Sequence, residues 1–295
     1  LYNVVYCFDF LDQNEEAITY LTKFIDKNPY SEVAWHQLGR QYYALKNYEK
    51  AVWAFEFATL IDEGFLGAYM EKAKSYEKLK KFEEAIECYK IAIELDDPSS
   101  FVLLRMAKCY ERIGNIEFAL NFYLKTVHED PLLDKGWIAI TDFYIRQKNY
   151  QKALYYVNKA IGIDGDNPLY WKRFAAVNSA LHFFEEAEYG YRKAFESGDV
   201  NLDTFTLWTD VLQFLGEFDN AIEILLEATN LFPEEYEIEY RLAGLYFLCN
   251  EDIKGNFHLN NGLRLNYKNK TVLKDYFPVV WERTEVQNQI AKFKK

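Results

Sequence analysis

An all-α solenoid of stacked antiparallel helix pairs is the fold class this sequence predicts, and three observations predict it. Small residues recur every 34 positions, large apolar residues keep a constant phase around them, and turn-forming residues fall at the two places between. The series Ala17, Ala51, Ala85, Ala119, Ala153, Ala187 and Ala221 runs unbroken, with Gly255 in the eighth place. A second series precedes it by twelve residues: Gly39, Ala73, Ala107, Thr141, Ala175, Thr209 and Ala243. A third follows the first by seven: Ala58, Ala92, Thr126, Ala160, Ala194, Ala228 and Gly262. No insertion disturbs the phase as far as about residue 267.

Each unit opens on a large residue, as at Trp35, Tyr69, Leu103, Trp137, Trp171 and Phe205. Leu38, Met106, Ile140, Phe174, Trp208 and Leu242 follow three places on, then Tyr42, Tyr76, Tyr110, Tyr144 and Tyr246. Offsets of three and four residues mark one face of a helix. A short polar or glycine-containing segment comes next, such as Lys46-Asn47, Lys80-Lys81, Gly114-Asn115, Lys148-Asn149 or Gly216-Glu217. The second helix then opens at Tyr48, Phe82, Ile116, Tyr150, Phe184 and Phe218. Pro29, Pro131 and Pro233 share one later phase, where proline ends a helix and turns the chain. A hairpin of this kind cannot bury its apolar stripe alone, so its neighbours must supply the core.

These residues make the chain resemble the tetratricopeptide-repeat family, whose pattern of tryptophan, leucine, glycine, tyrosine, alanine, an aromatic residue and alanine stands here as Trp35, Leu38, Gly39, Tyr42, Ala51, Phe55 and Ala58. The resemblance implies a right-handed α-solenoid of about eight 34-residue repeats plus C-terminal capping helices. On this reading residues 1–269 form the array, with a truncated first unit and later units starting near residues 32, 66, 100, 134, 168, 202 and 236. Residues 270–295 form capping helices interrupted by Pro278 and a basic tail of Lys292, Lys294 and Lys295. Glu239, Asp252, Gly255 and Gly262 make the eighth unit look worn, as expected where a terminal face meets water.

The composition narrows the function. Half the residues are apolar, 18% are aromatic and the formal charge is −12, which argues against nucleic acid as a partner. Cys7, Cys88, Cys109 and Cys249 are far apart with no CxxC pair, so isolated buried thiols in a reducing compartment are expected, rather than a zinc site or disulfides. No apolar run approaches the ~20 residues of a membrane span. The cytoplasm is the expected location. The chain starts at Leu1 and not at methionine, which leaves a preceding signal peptide, anchor or catalytic domain open. No catalytic, cofactor or metal motif is present. Glu15-Glu16, Glu83-Glu84 and Glu185-Glu186 begin second helices, where acids favour the positive end of the helix dipole.

In this family the first helices of successive units line a concave groove that receives a peptide or a helix. The second, fifth, sixth, ninth, twelfth and thirteenth places of each unit should face it. In units two to six those places hold Arg40, Lys74, Lys78, Arg105, Lys108, Arg112, Lys135, Arg146, Lys172 and Arg173 against Glu71, Glu77, Glu111 and Asp142. Arg40, Lys74 and Lys108 share a phase and predict a basic row spaced by about 10 Å. Tyr43, Phe101, Leu104, Ile138 and Leu169 are apolar anchors beside it. The expected function is a non-catalytic scaffold that binds an acidic or mixed-charge segment of another protein. Two alternatives are a regulatory or substrate-selecting part of a larger enzyme and a self-associating homo-oligomer. The carboxylate clamp of some family members fits poorly, because Ala176 stands where asparagine is wanted and His36 and Arg40 replace lysine and asparagine.

Overall fold

Helices start and stop where the sequence supplies caps. Ser31 and Ser99 accept from the backbone N–H of Ala34 and Val102 at the head of two first helices. Asn47, Asn115 and Asn149 do the same for Lys50, Phe118 and Lys152 at the head of three second helices. The computed structural model describes residues 1–97 and 99–293, and Lys294 and Lys295 of the expected tail lie outside the described residues. Every regular element among those residues is helical.

By density of contacts the chain forms two units, Leu1–Ile140 and Thr141–Lys295. The first contains α1 (Tyr2–Phe10), α2 (Asn14–Lys27), α3 (Glu32–Ala44), α4 (Tyr48–Ile61), α5 (Leu66–Lys78), α6 (Phe82–Leu95), α7 (Ser100–Arg112) and α8 (Ile116–Glu129), each packed on the next. The division falls inside α9 (Asp134–Arg146). The second unit continues with α10 (Tyr150–Ile163), α11 (Pro168–Ala180), α12 (Phe184–Glu196), α13 (Leu202–Leu215), α14 (Phe218–Leu231), α15 (Tyr236–Leu248) and α16 (Asp252–Asn266), again packed in sequence. A 3₁₀ turn at Tyr267–Asn269 leads to α17 (Thr271–Tyr276), α18 (Pro278–Trp281) and α19 (Thr284–Lys292).

The turn inside each hairpin has one geometry. Asp12, Lys46, Lys80, Gly114, Lys148, His182, Gly216 and Asn250, one per 34 residues, all lie at positive φ between 54° and 83°. The two amides at and after the left-handed residue bond back to the helix: Lys46 N–H to Tyr43 O and Asn47 N–H to Tyr42 O, both 2.9 Å. This is the Schellman closure, and it lets Asn47 end one helix and cap the next.

The three small-residue series are buried throughout their regular units, which brings paired helices close. Gly39 shows how close: a Cβ there would lie 2.6 Å from Phe55 Cδ1. The large residues have their own partners. The indoles of Trp35, Trp137 and Trp171 donate to the carbonyls of Pro29, Pro131 and Gly165, six residues earlier in the turn between hairpins. Tyr110, Tyr144 and Tyr246 stack on Phe122, Tyr156 and His258, twelve residues further on in the facing helix. Where asparagine or leucine replaces the tyrosine, at 178 and 212, the facing residue is Gly190 or Ile224.

Two expectations change. The first helix of the eighth unit does not meet water: Ile238 and 240–247 in α15 are all buried, while Asp252 in α16 is exposed. The reason is that α17 and α18 lie on α15, with the Phe277 ring filling the space that a side chain at Gly244 would need. Of the cysteines, Cys88 and Cys109 are buried, Cys249 is half-buried and Cys7 is exposed.

Glycine gives a signed test of the packing. Gly162, in α10, has open space around its Cα, so Gly162→Ala should gain up to about 1 kcal/mol of helix propensity. The same exchange at Gly39 gains that amount but must move the fully buried Phe55, and overpacking costs about 1–3 kcal/mol. Urea denaturation should show Gly162→Ala stabilised and Gly39→Ala destabilised; a stabilised Gly39→Ala would contradict close helix packing there.

Candidate functional site

The first unit has an open cavity of about 640 Å³, lined by Asp9 and Asp12 of the first hairpin, Asn14 of α2, Arg40, Gln41, Tyr43 and Ala44 of α3, Glu71 and Lys74 of α5, and Phe101 and Arg105 of α7. Five of the expected groove residues therefore share one wall: Arg40, Tyr43, Lys74, Phe101 and Arg105. Phe101 is 46% exposed, with Lys74 Nζ 5.6 Å and Arg105 Cζ 5.4 Å from its ring centre.

The basic charges are not equally available. Arg105 is held by Glu77 in the preceding repeat through Nε to Oε1 at 2.8 Å and Nη2 to Oε2 at 3.0 Å. The same Nε lies 2.7 Å from the hydroxyl of Tyr89, which donates to Glu77 Oε1 at 2.6 Å. Burial, then the Glu77 carboxylate, pushes the Tyr89 phenol far above its usual range, so it remains a donor. This bidentate pair makes Arg105 a bolt between repeats. In the second unit Arg173 reaches Asp142 at 2.6 Å and Lys172 lies 3.6 Å from Asp199. Arg241, 1% exposed, bonds Glu237 and Asp210 and lies 3.9 Å from the Tyr276 ring centre. Arg105, Arg173 and Arg241 occupy the same sixth place of their units.

Lys78, Lys108, Arg112 and Arg146 are exposed on their helices, whereas Leu104 and Ile138, expected as anchors, are only 8% and 9% exposed and serve the core. Reasoning from sequence missed Asp9, Asp12 and Gln41. Asp9 sits at the twelfth place of the first unit, equivalent to Tyr43 and Glu77, so applying the groove rule one repeat earlier finds it. His36, at a clamp phase, lies between the rings of Phe55 and Phe65 at 5.6 and 4.8 Å, and neither ring nitrogen has a hydrogen-bond partner. Burial, assisted by Arg40, lowers its pKa to about 4; the Gly67 backbone pulls weakly the other way without bonding geometry. A neutral, half-buried ring with both nitrogens covered is no anchor for a carboxylate.

Among the described residues no three metal-ligating side chains converge, and no helix is long and apolar enough to cross a membrane. The tetratricopeptide-repeat family model matches residues 67–97, which hold most of α5 and α6. The fold is similar to that of the C-terminal part of a TPR repeat-containing protein from Cytophaga hutchinsonii, with a TM-score of 0.62 and 17% identity over 93% of this chain and 98% of that one. PilF of Pseudomonas aeruginosa gives a TM-score of 0.55 and 20% identity, covering 68% of this chain and 92% of that one. PilW, a type IV pilus biogenesis factor, gives 0.56 and 19%, covering 68% and 94%. No curated protein matches by sequence.

His36 predicts a pH effect on stability. Its folded pKa of about 4 lies below the ordinary 6.5, so the unfolded chain takes up the proton first. Its contribution is constant above pH 6.5 and stability is lost as pH falls from 6.5 towards 4. Denaturation midpoints of the wild type and His36→Phe should diverge across that window, with the variant less acid-sensitive; parallel profiles would count against the neutral ring.

Proposed function

We propose that this stack of tetratricopeptide-type hairpins is a non-catalytic scaffold, and that it holds a segment of another protein in the cavity of its first unit. The observation that carries the reading is the convergence of Arg40, Tyr43, Lys74, Phe101 and Arg105, from the first helices of three successive hairpins, on one cavity wall. An exposed aromatic ring flanked by two cations offers an apolar contact and an anion contact together, the combination that anchors a peptide side chain and orients its neighbour. A cavity of about 640 Å³ is within the range that small binding sites occupy. The charged groups there make ion pairs and ring contacts, which suit recognition and not bond-breaking.

The partner segment on this reading is acidic or of mixed charge. Lys74 and Arg40 meet its carboxylates, and Arg105 keeps the adjoining repeats in register while lending its face to Phe101. Electrostatic attraction of this kind speeds encounter and fades with salt.

Lys74→Glu combined with Phe101→Ala removes one charge and one ring without touching the Arg105–Glu77 bolt. Affinity purification with mass spectrometry should lose the proteins captured by the wild-type chain, at least tenfold, or about 1.4 kcal/mol. A control reversal at Lys125, in α8 and outside the cavity, should leave them. Capture unchanged in a folded double variant would refute the cavity as the binding site.

A further inference from the structure

The cavity has an end that the basic row does not describe. Gln41 is 2% exposed, yet it lines the cavity. Its Nε2 donates to Asp9 Oδ1 at 2.7 Å, which fixes the amide and leaves Oε1 as a buried acceptor with no partner. Buried acceptors are seldom left unmade in a native fold, because the group has given up water for nothing. Three carboxylates line the same cavity, those of Asp9, Asp12 and Glu71, and Asp9 is the one in contact with Gln41. Asp12 comes from the left-handed turn of the first hairpin, at φ 54°.

The charge balance of the wall decides what fits. Once Glu77 has neutralised Arg105, Asp9, Asp12 and Glu71 face Arg40 and Lys74, so three acids stand against two bases. Arg40 turns a guanidinium nitrogen to the neutral Gln37 amide, 3.2 Å away, and Lys74 lies by Phe101. That excess of acid over base favours a cationic group in the cavity.

We infer that the Gln41 end of the cavity is a subsite for a lysine or arginine side chain of the bound segment, with Asp9, Asp12 and Glu71 taking its charge and Gln41 Oε1 accepting one of its N–H donors. This rests on reading the cavity as a peptide site and adds a requirement: the segment carries a base directed at the Gln41 end, as well as whatever meets Phe101 and Lys74. A lysine or arginine head supplies several donors on one group, enough to meet carboxylates and the Gln41 oxygen together.

Panning short random peptides displayed on phage against the full chain tests both statements separately. Wild-type protein should enrich peptides with lysine or arginine at one fixed position. Asp12→Asn with Glu71→Gln removes two charges while keeping shape, and asparagine tolerates the left-handed turn. On that variant the preference for a base should fall about tenfold, while the selection at other positions persists. Peptides enriched without a base, or a preference for a base unchanged in the folded variant, would overturn the subsite and leave the peptide site standing. Failure to enrich any peptide, or enrichment that Lys74→Glu with Phe101→Ala does not diminish, would overturn the peptide site and the subsite together.

Discussion

Close approach of two helix backbones is the constraint on which the rest of this molecule depends. It requires a side chain no larger than alanine or threonine at three fixed places in each hairpin, and those places are buried from Ala17 to Ala243. Once they are met, the neighbouring rings have defined gaps to fill. Phe55 lies over Gly39, Tyr110 stacks on Phe122 and the Trp35 indole reaches the Pro29 carbonyl. Interiors packed this densely tolerate little change in volume, which keeps the repeat length constant along the chain.

The same regular stacking puts charged residues of adjacent hairpins within reach of each other, and much of the basic charge is spent there. Glu77 with Arg105 and Asp142 with Arg173 join first helices of successive repeats. Half-buried, and bidentate in the first case, these pairs hold register more than they attract a ligand. The charge a partner meets is therefore different from the charge the residues carry on paper. At the cavity of the first unit it is mixed, with Asp9, Asp12 and Glu71 in the same lining as Arg40 and Lys74.

The period, the helix boundaries and the small-residue contacts were legible in the sequence because each depends on a single residue type at a single spacing. The convergence of Arg40, Lys74 and Phe101 on one wall was legible for the same reason. What escaped depends on pairs. Nothing in the spacing of Arg105 announces that Glu77, 28 residues earlier, will take it, or that Leu104 beside it is core. Asp9 was missed because the groove rule covers units two to six and Asp9 stands one repeat before them. The eighth unit misled because Glu239 and Gly255 look like decay; in the fold Glu239 contacts His258 at 2.8 Å and Gly255 makes room for the Phe247 ring.

The hairpin turns carry one more consequence. Lys46, Lys80, Lys148 and His182 occupy a left-handed backbone conformation that costs an ordinary residue about 1 kcal/mol or more, while Gly114 and Gly216 hold the same conformation freely. Four small strains, repeated along the chain, are an undrawn reserve. A lineage carrying such turns can absorb damaging substitutions in its cores by relaxing one turn at a time to glycine, so the repeats can diverge in sequence while the backbone they share does not change.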